Sequence, residues 1–460
     1  MKRQLFLFLG VVIFLIPAQN VKAQNPPPLF KAAEGPIAFG GEQEKSTVTG
    51  GISVKRSRLV QIELPLIDRK AADKVPKSFG EGPLDSLETV NRIQLNLFDD
   101  VSFVAALKRV SISTDGKTVT WIGILEGLKE SQVSLAATDG SVSGNVSTSQ
   151  GMIYQIRPSA IEKGDSYILE RQQASFPKES QPVKPKPSRP HAADAAPNSD
   201  DGSIIDVLVA YTPLAKLTAG GEAGIKNLIR IGEIETNQGY ENSGVIQRIR
   251  VVYSVELNYD ESVGFSATLD RLATPNDGYL DEIQGLRNKY GADLVSLWIK
   301  NSESCGLAYL MTQVDPSFES SAYSVVNVTC ATGYYSFGHE MGHNQGCQHN
   351  RADANGAGAF AYSYGYQQTG SNPIFRTVMA YECPTNKCSR INYWSNPDIN
   401  YQGLPTGVAV GSSDAADNAL TLNKTRTVAA KFRGSVKQVA TNPVAPEQSK
   451  QVMSNKAAAQ

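Results

Sequence analysis

The chain has almost no bias of charge, since 44 Lys and Arg stand against 45 Asp and Glu for a formal net charge of −1. Without a basic surplus there is no bulk attraction to nucleic-acid phosphates or to anionic lipid, and no nucleic-acid-binding motif is present. Long apolar runs are also missing. The longest, residues 5–16, is shorter than the ~18–20 residues that a bilayer-spanning helix needs. Cysteine is scarce and unevenly placed, with five in all and none before Cys305, so the upstream half cannot be held by disulfides. Histidine is scarcer still. Only four occur in 460 residues, and three of them fall between His339 and His349.

That cluster reads His339-Glu340-Met341-Gly342-His343-Asn344-Gln345-Gly346-Cys347-Gln348-His349. On a helix, His339 and His343 lie one turn apart on one face, so two imidazole nitrogens can meet one Zn²⁺ at about 2.0–2.1 Å. Glu340 is then beside the metal, where a carboxylate can take a proton from water that the ion acidifies. His349 could not reach the same ion if the helix ran on. Gly346 answers that, because glycine tolerates a left-handed backbone and can turn the chain back. Three ligands leave a fourth position open, the mark of a catalytic rather than a structural zinc. Cys347 stands inside the motif, but the three histidines complete the set, and it is expected to be a buried, unreactive thiol.

The pattern resembles the metzincins, zinc peptidases that carry a methionine turn beneath the metal some tens of residues after the third histidine. Thr377-Val378-Met379-Ala380-Tyr381 stands at a suitable distance. Longer blocks are similar to the secreted bacterial reprolysin-like enzymes, in particular the peptidyl-Asp metalloendopeptidases. These are Val207-Leu208-Val209-Ala210-Tyr211-Thr212-Pro213, Glu235-Thr236-Asn237-Gln238, Tyr290-Gly291-Ala292-Asp293-Leu294-Val295, Cys305-Gly306-Leu307-Ala308-Tyr309 and Trp394-Ser395-Asn396-Pro397-Asp398. Asn350 departs from the pattern, which usually has Asp directly after the third histidine; the amide can accept similar hydrogen bonds but carries no charge. The resemblance implies an α/β (α+β) catalytic domain with a mixed twisted sheet and a zinc helix, a lower irregular subdomain, and a substrate cleft between the two.

It also implies one catalytic Zn²⁺ on His339, His343 and His349, Glu340 as general base, Met379 as structural support and Tyr381 either as an oxyanion donor or as a packed aromatic. Cleavage on the amino side of Asp would require a cation in the pocket for the residue after the scissile bond. Lys387 and Arg390 follow the methionine turn, and Arg390 is the better candidate because guanidinium grips a carboxylate with two parallel hydrogen bonds; the alternative is that both are solvated surface cations in a disulfide-bounded loop, since no spacing rule selects either. The substrates are then proteins or peptides. A catalytically silent zinc-binding protein of the same fold, and an amidase with a non-protein substrate, are the alternatives, and the presence of Glu340 argues against the first.

Organisation follows from composition. Lys2 and Arg3, the apolar run 5–16, Pro17 and Val21-Lys22-Ala23 read as a secretory signal peptide over 1–23, which places the mature protein outside the cell or in the periplasm in transit, free of the membrane and monomeric. Residues 24–176 alternate in β fashion, as in Leu59-Val60-Gln61-Ile62-Glu63-Leu64 and Arg92-Ile93-Gln94-Leu95-Asn96-Leu97, and are expected to form a β-rich propeptide domain. With no cysteine there, an acid such as Asp99 or Asp100 is the kind of side chain left to block a metal, although an Asp pair is more often a turn or a solvated face. A Pro-rich linker spans 177–202, expected to stay extended and to bury little. The catalytic domain covers 203–433 and a polar tail 434–460. Strands are expected near 204–211, 249–257, 292–299 and 321–329, and helices near 223–241, 277–290, 334 onward and 413–432. Cys383 with Cys388 and Cys305 with Cys330 are the expected disulfides, leaving Cys347 over.

Overall fold

The computed structural model describes residues 25–33, 42–67, 91–113, 116–159, 164–185, 200–385 and 387–436. The expected signal peptide lies outside these residues, as does nearly all of the tail.

The upstream region folds as one antiparallel sheet. After β1 (Phe30–Ala32), a helix α1 (Glu42–Thr49) and β2 (Arg56–Ile62), seven strands follow as a meander: β3 (Arg92–Phe98), β4 (Val101–Ile112), β5 (Thr118–Leu125), β6 (Gln132–Thr138), β7 (Ser141–Ser147), β8 (Met152–Pro158) and β9 (Asp165–Gln172). The spatial order is β1-β2-β9-β8-β7-β6-β5-β4-β3. Leu29 N–H donates to Gln94 O just ahead of β1, so the two edges of the sheet are joined and neither offers a free ladder. Alternation puts Leu95, Val133, Leu135, Ile156 and Ile168 into one core with Trp121. Asp99 and Asp100 do not block anything. They sit in the exposed turn between β3 and β4, where Asp100 pairs with Arg56 at 2.6 Å.

The downstream region is built on a mixed sheet flanked by helices. In chain order come β10 (Ile204–Tyr211), α2 (Pro213–Thr218), α3 (Glu222–Asn242), β11 (Arg248–Glu256), α4 (Gly264–Ala273), α5 (Glu282–Tyr290), β12 (Leu294–Ile299), β13 (Gly306–Ala308), β14 (Tyr323–Asn327), α6 (Ser336–Asn344) and α7 (Asn418–Ala429). The sheet order is β11-β10-β12-β14-β13, parallel except for the antiparallel edge strand β13. Strands β10, β12 and β14 are buried throughout or nearly so, as parallel strands covered by helices are. Periodicity located most of these elements to within a few residues. It missed α2, α4 and β13, and it began α5 too early, because residues 277–281 form a turn in which Asp281 and Asp277 side chains accept backbone N–H groups.

Two contacts set the site in place. Trp298 on β12 meets Phe337 at the start of α6 edge-on at 5.3 Å, seating that helix against the sheet. Buried Arg287 donates to Ala292 O, Asp293 O, Glu319 O and the Tyr323 hydroxyl, so one side chain satisfies the loops that lead into β12 and β14. The disulfides join Cys305 to Cys330 and Cys383 to Cys388, and Cys347 is free and buried. The first of them ties the start of β13 to the segment entering α6.

The linker expectation requires correction at its near end. Residues 178–185 do not run free in solvent; they lie against β13, with Val183 bridged to Tyr309 in parallel sense. Lys178 O accepts from Cys305 N–H, Ser180 N–H donates to Gly306 O, Val183 N–H donates to Ala308 O, and Leu310 N–H donates to Val183 O. An unpaired sheet edge is a template for any extended chain, and proline content does not prevent pairing where the other residues supply the N–H groups. The sheet domain packs on the downstream helices as well: Asn227 of α3 bonds Thr138 and Ser141, and Glu235 accepts from Asn145. At the far end, Ser435 bonds Asp200 and Asp206, so the first three residues of the polar tail are ordered on the domain.

Candidate metal centre

Helix α6 begins after Tyr335, whose φ is +67°, and ends where Gly346 takes φ +91°. There Cys347 N–H returns to Gly342 O, and the chain turns so that His349 comes back beside the helix. A Cβ at Gly346 would also lie 2.5 Å from that of Ala359, so no larger residue fits the turn.

The outcome is a three-cornered set of imidazoles. Nε2 of His339 and of His349 are 3.1 Å apart, His343 to His349 is 3.1 Å, and His343 to His339 is 3.2 Å. Ligands at about 2.0–2.1 Å on a tetrahedral ion are separated by about 3.3–3.4 Å, so this set fits one small cation with little movement. The opposite nitrogens are held by carbonyls: His339 Nδ1 by Val378 O at 2.9 Å and His343 Nδ1 by Cys347 O at 2.8 Å. A carbonyl accepts only, which puts the proton of His339 and of His343 on Nδ1 and turns their Nε2 lone pairs inward, toward His349 Nε2. Burial drives His343 down to about 3 and the other two well below the usual range, so all three are neutral, as ligands must be.

Glu340 is fully buried with no partner for either carboxylate oxygen, and burial first, then the neighbouring Glu179, raises its pKa well above the ordinary range. It is accommodated by a missing side chain. A Cβ on Gly306 of β13 would stand 2.3 Å from Glu340 Oε1. Gly306 was not singled out from sequence; a lone glycine in a short strand signals close backbone approach without saying to what.

Met379 is wholly buried in a turn closed by Ala380 N–H to Thr377 O, below α6. Arg376, also buried, donates to Ala380 O at 2.7 Å and to the Tyr334 hydroxyl, fixing that turn. The Tyr381 ring lies 4.1 Å from the His349 ring, and its hydroxyl donates to Glu179 O at 2.8 Å. Asn350 accepts from Tyr381 N–H at 2.9 Å, a role in which the amide oxygen serves without a charge.

Of the two cations after the methionine turn, Lys387 is exposed and Arg390 is 3% exposed. Arg390 Nη1 donates to Tyr334 O at 2.9 Å and to Glu179 Oε1 at 2.8 Å, and its guanidinium lies 4.4 Å from the centre of the Tyr334 ring. Ser336 Oγ donates to the same Glu179 oxygen at 2.7 Å. Glu179, His339 and Glu340 thus form a second group of potential ligands beside the three histidines. Glu179 and Ser336 escaped the sequence reading, since no spacing rule links a glutamate in a proline-flanked stretch to a helix 157 residues on. A cavity of about 530 Å³ between the upstream sheet and residues 389–393 is lined in part by Arg390 and does not include the histidines.

Residues 202–395 match metallo-peptidase family M12. A peptidyl-Asp metalloendopeptidase of Stenotrophomonas maltophilia (strain K279a) is 35% identical over 307 residues, covering 65% of this chain and 70% of that one. A protein of the same name from Xanthomonas campestris pv. campestris is 32% identical over 382 residues, 76% of this chain and 88% of the relative. One from Pseudomonas fragi is 33% identical over 199 residues, which is 43% of this chain and the whole of that relative.

Two outcomes are expected of the site. Elemental analysis of the purified protein should find about one zinc per chain, lost on His343→Ala; a His343→Ala protein that keeps its metal would rule out the three-histidine set. Gly306→Ala should keep the metal and lower turnover by roughly 10²-fold, because the new methyl group displaces Glu340 by about an ångström.

Proposed function

We propose, from the premise that this chain belongs to metallo-peptidase family M12 and is a metalloendopeptidase, that it is an exported zinc enzyme cutting proteins or peptides on the amino side of Asp. The observation that carries the specificity is Arg390: a buried guanidinium, beside the metal centre, already holding a carboxylate. His339, His343 and His349 would hold the ion. When bound, zinc acidifies water to a pKa of about 7 and polarises a carbonyl.

The chain's own groups do the rest. Glu340 takes the proton of the attacking water and passes it to the leaving amine; its burial beside Gly306 keeps the carboxylate dry and basic enough for both steps. Tyr381 has its hydroxyl in the cleft, where it can donate to the oxygen that gains charge as the carbonyl becomes tetrahedral. The edge of β13 offers Gly306 O, Ala308 O and Leu310 N–H to an extended peptide, aligning its backbone past the metal. Arg390 then receives the aspartate side chain. Export follows from the signal-like segment 1–23, and the disulfides Cys305–Cys330 and Cys383–Cys388 suit an oxidising compartment. Among the described residues no helix is long and apolar enough to cross a membrane.

Glu340→Gln should keep its zinc and lose activity by about 10²–10⁴-fold, the contribution of general base catalysis. Arg390→Ala should reduce kcat/KM for peptides with Asp after the scissile bond by about 10²-fold more than for peptides with an apolar residue there. Equal losses on both sets, measured after cutting the linker, would remove the specificity while leaving the endopeptidase.

A further inference from the structure

We infer that Arg390 and Ser336 together form the carboxylate-reading pocket and that Glu179 of the chain's own upstream segment fills it, in the place of a substrate's acidic side chain. The inference rests on the reading of Arg390 above and adds to it a second specificity residue and an internal ligand. Glu179 Oε1 accepts from Arg390 Nη1 at 2.8 Å and from Ser336 Oγ at 2.7 Å, and both side chains of the ion pair are 1% exposed. Burying a carboxylate is unfavourable unless a cation and hydrogen bonds meet it, so a segment that only had to cover a cleft would do better with an apolar residue here. Arg390 and Ser336 belong to the downstream domain, and Arg390 has fixings that do not involve Glu179: Tyr334 O and the Tyr334 ring. The cation and hydroxyl are therefore presented by the domain, and Glu179 is the guest.

The backbone supports the same conclusion. Residues 178–183 use the β13 edge through Cys305 N–H, Gly306 O, Ala308 O and Leu310 N–H, and Glu179 O takes the Tyr381 hydroxyl. A substrate bound by strand addition needs that edge, that hydroxyl and that pocket. Segment and substrate are mutually exclusive. Glu179 Oε2 has no hydrogen-bond partner, and a carboxylate oxygen of Glu179 lies within 4.8 Å of ligand atoms of His339 and Glu340, so the guest side chain reaches the metal site as well as the pocket. The uncut chain is held inactive by mimicry of its own preferred substrate, and a cut beyond residue 185 frees the segment to leave.

The test uses the full-length chain. Hydrogen exchange of the Ser180 and Val183 amides reads the hold on the segment without reference to turnover. Glu179→Ala and Arg390→Ala should each speed that exchange about tenfold or more, with the double variant little faster than either, because they remove one shared interaction. Unchanged exchange in Glu179→Ala, or additive effects, would overturn the pairing. Glu179→Gln keeps the shape and loses the charge; it should fall between wild type and Glu179→Ala, and it stands in if the alanine variant lowers the melting temperature of the whole protein. In activity, uncut Glu179→Ala should hydrolyse an Asp-containing peptide at least about tenfold faster than the uncut wild type. In linker-cut chains, Ser336→Ala should lower the ratio of kcat/KM for Asp over apolar peptides by about tenfold, the worth of one hydrogen bond to a charged group. If linker-cut wild type cuts no peptide, the endopeptidase reading falls while the exchange result still stands. If it cuts peptides but neither Glu179→Ala nor Ser336→Ala has these effects, the mimicry alone is wrong.

Discussion

Three neutral imidazoles with their Nε2 atoms 3.1–3.2 Å apart, all fully buried, are the arrangement that a cation among them would stabilise. Holding them there takes the carbonyls of Val378 and Cys347 behind the rings, the turn at Gly346, and the packing of α6 on Trp298 and above Met379. Each of these is a feature of the tertiary structure that is hard to explain by stability alone. Buried polar groups facing one another are unfavourable in an apo protein, and a bound cation converts the same arrangement into a folding asset.

The edge strand β13 is the second constraint. It is only three residues long, yet Cys305 at its start is tied to Cys330 ahead of the helix, and Gly306 leaves room for Glu340. The position of Glu340, the sheet edge taken by residues 178–183 and the entry of α6 are therefore fixed by one short strand. The absence of a side chain at 306 is chemically as informative as the presence of the glutamate.

The two units of the chain meet through polar contacts as well as packing. Asn145 with Glu235, Arg157 with Thr332, and Gln173 with the backbone of Arg390 join the upstream sheet to α3, to the segment ahead of α6 and to the stretch that carries Arg390.

Local sequence was enough to bring His339, His343 and His349 together, because a helix places residues four apart on one face and a glycine permits the returning turn. Through alternation it also located β10, β11, β12 and β14 but not the short edge strand β13, and the short spacing of Cys383 and Cys388 suited the disulfide they form. It named Arg390 as one of two candidate cations, but only the folded chain showed that Lys387 faces solvent and Arg390 does not. It offered Asp99 and Asp100 either as acids able to block a metal or as an ordinary solvated turn, and the structure has the turn; it treated residues 177–202 as an extended linker. The pairing of 178–185 with β13, and of Glu179 with Arg390 across 211 residues, follows from which sheet edge is left open and which charges are buried together. Those are properties of the assembled domain, and no periodicity within the chain encodes them.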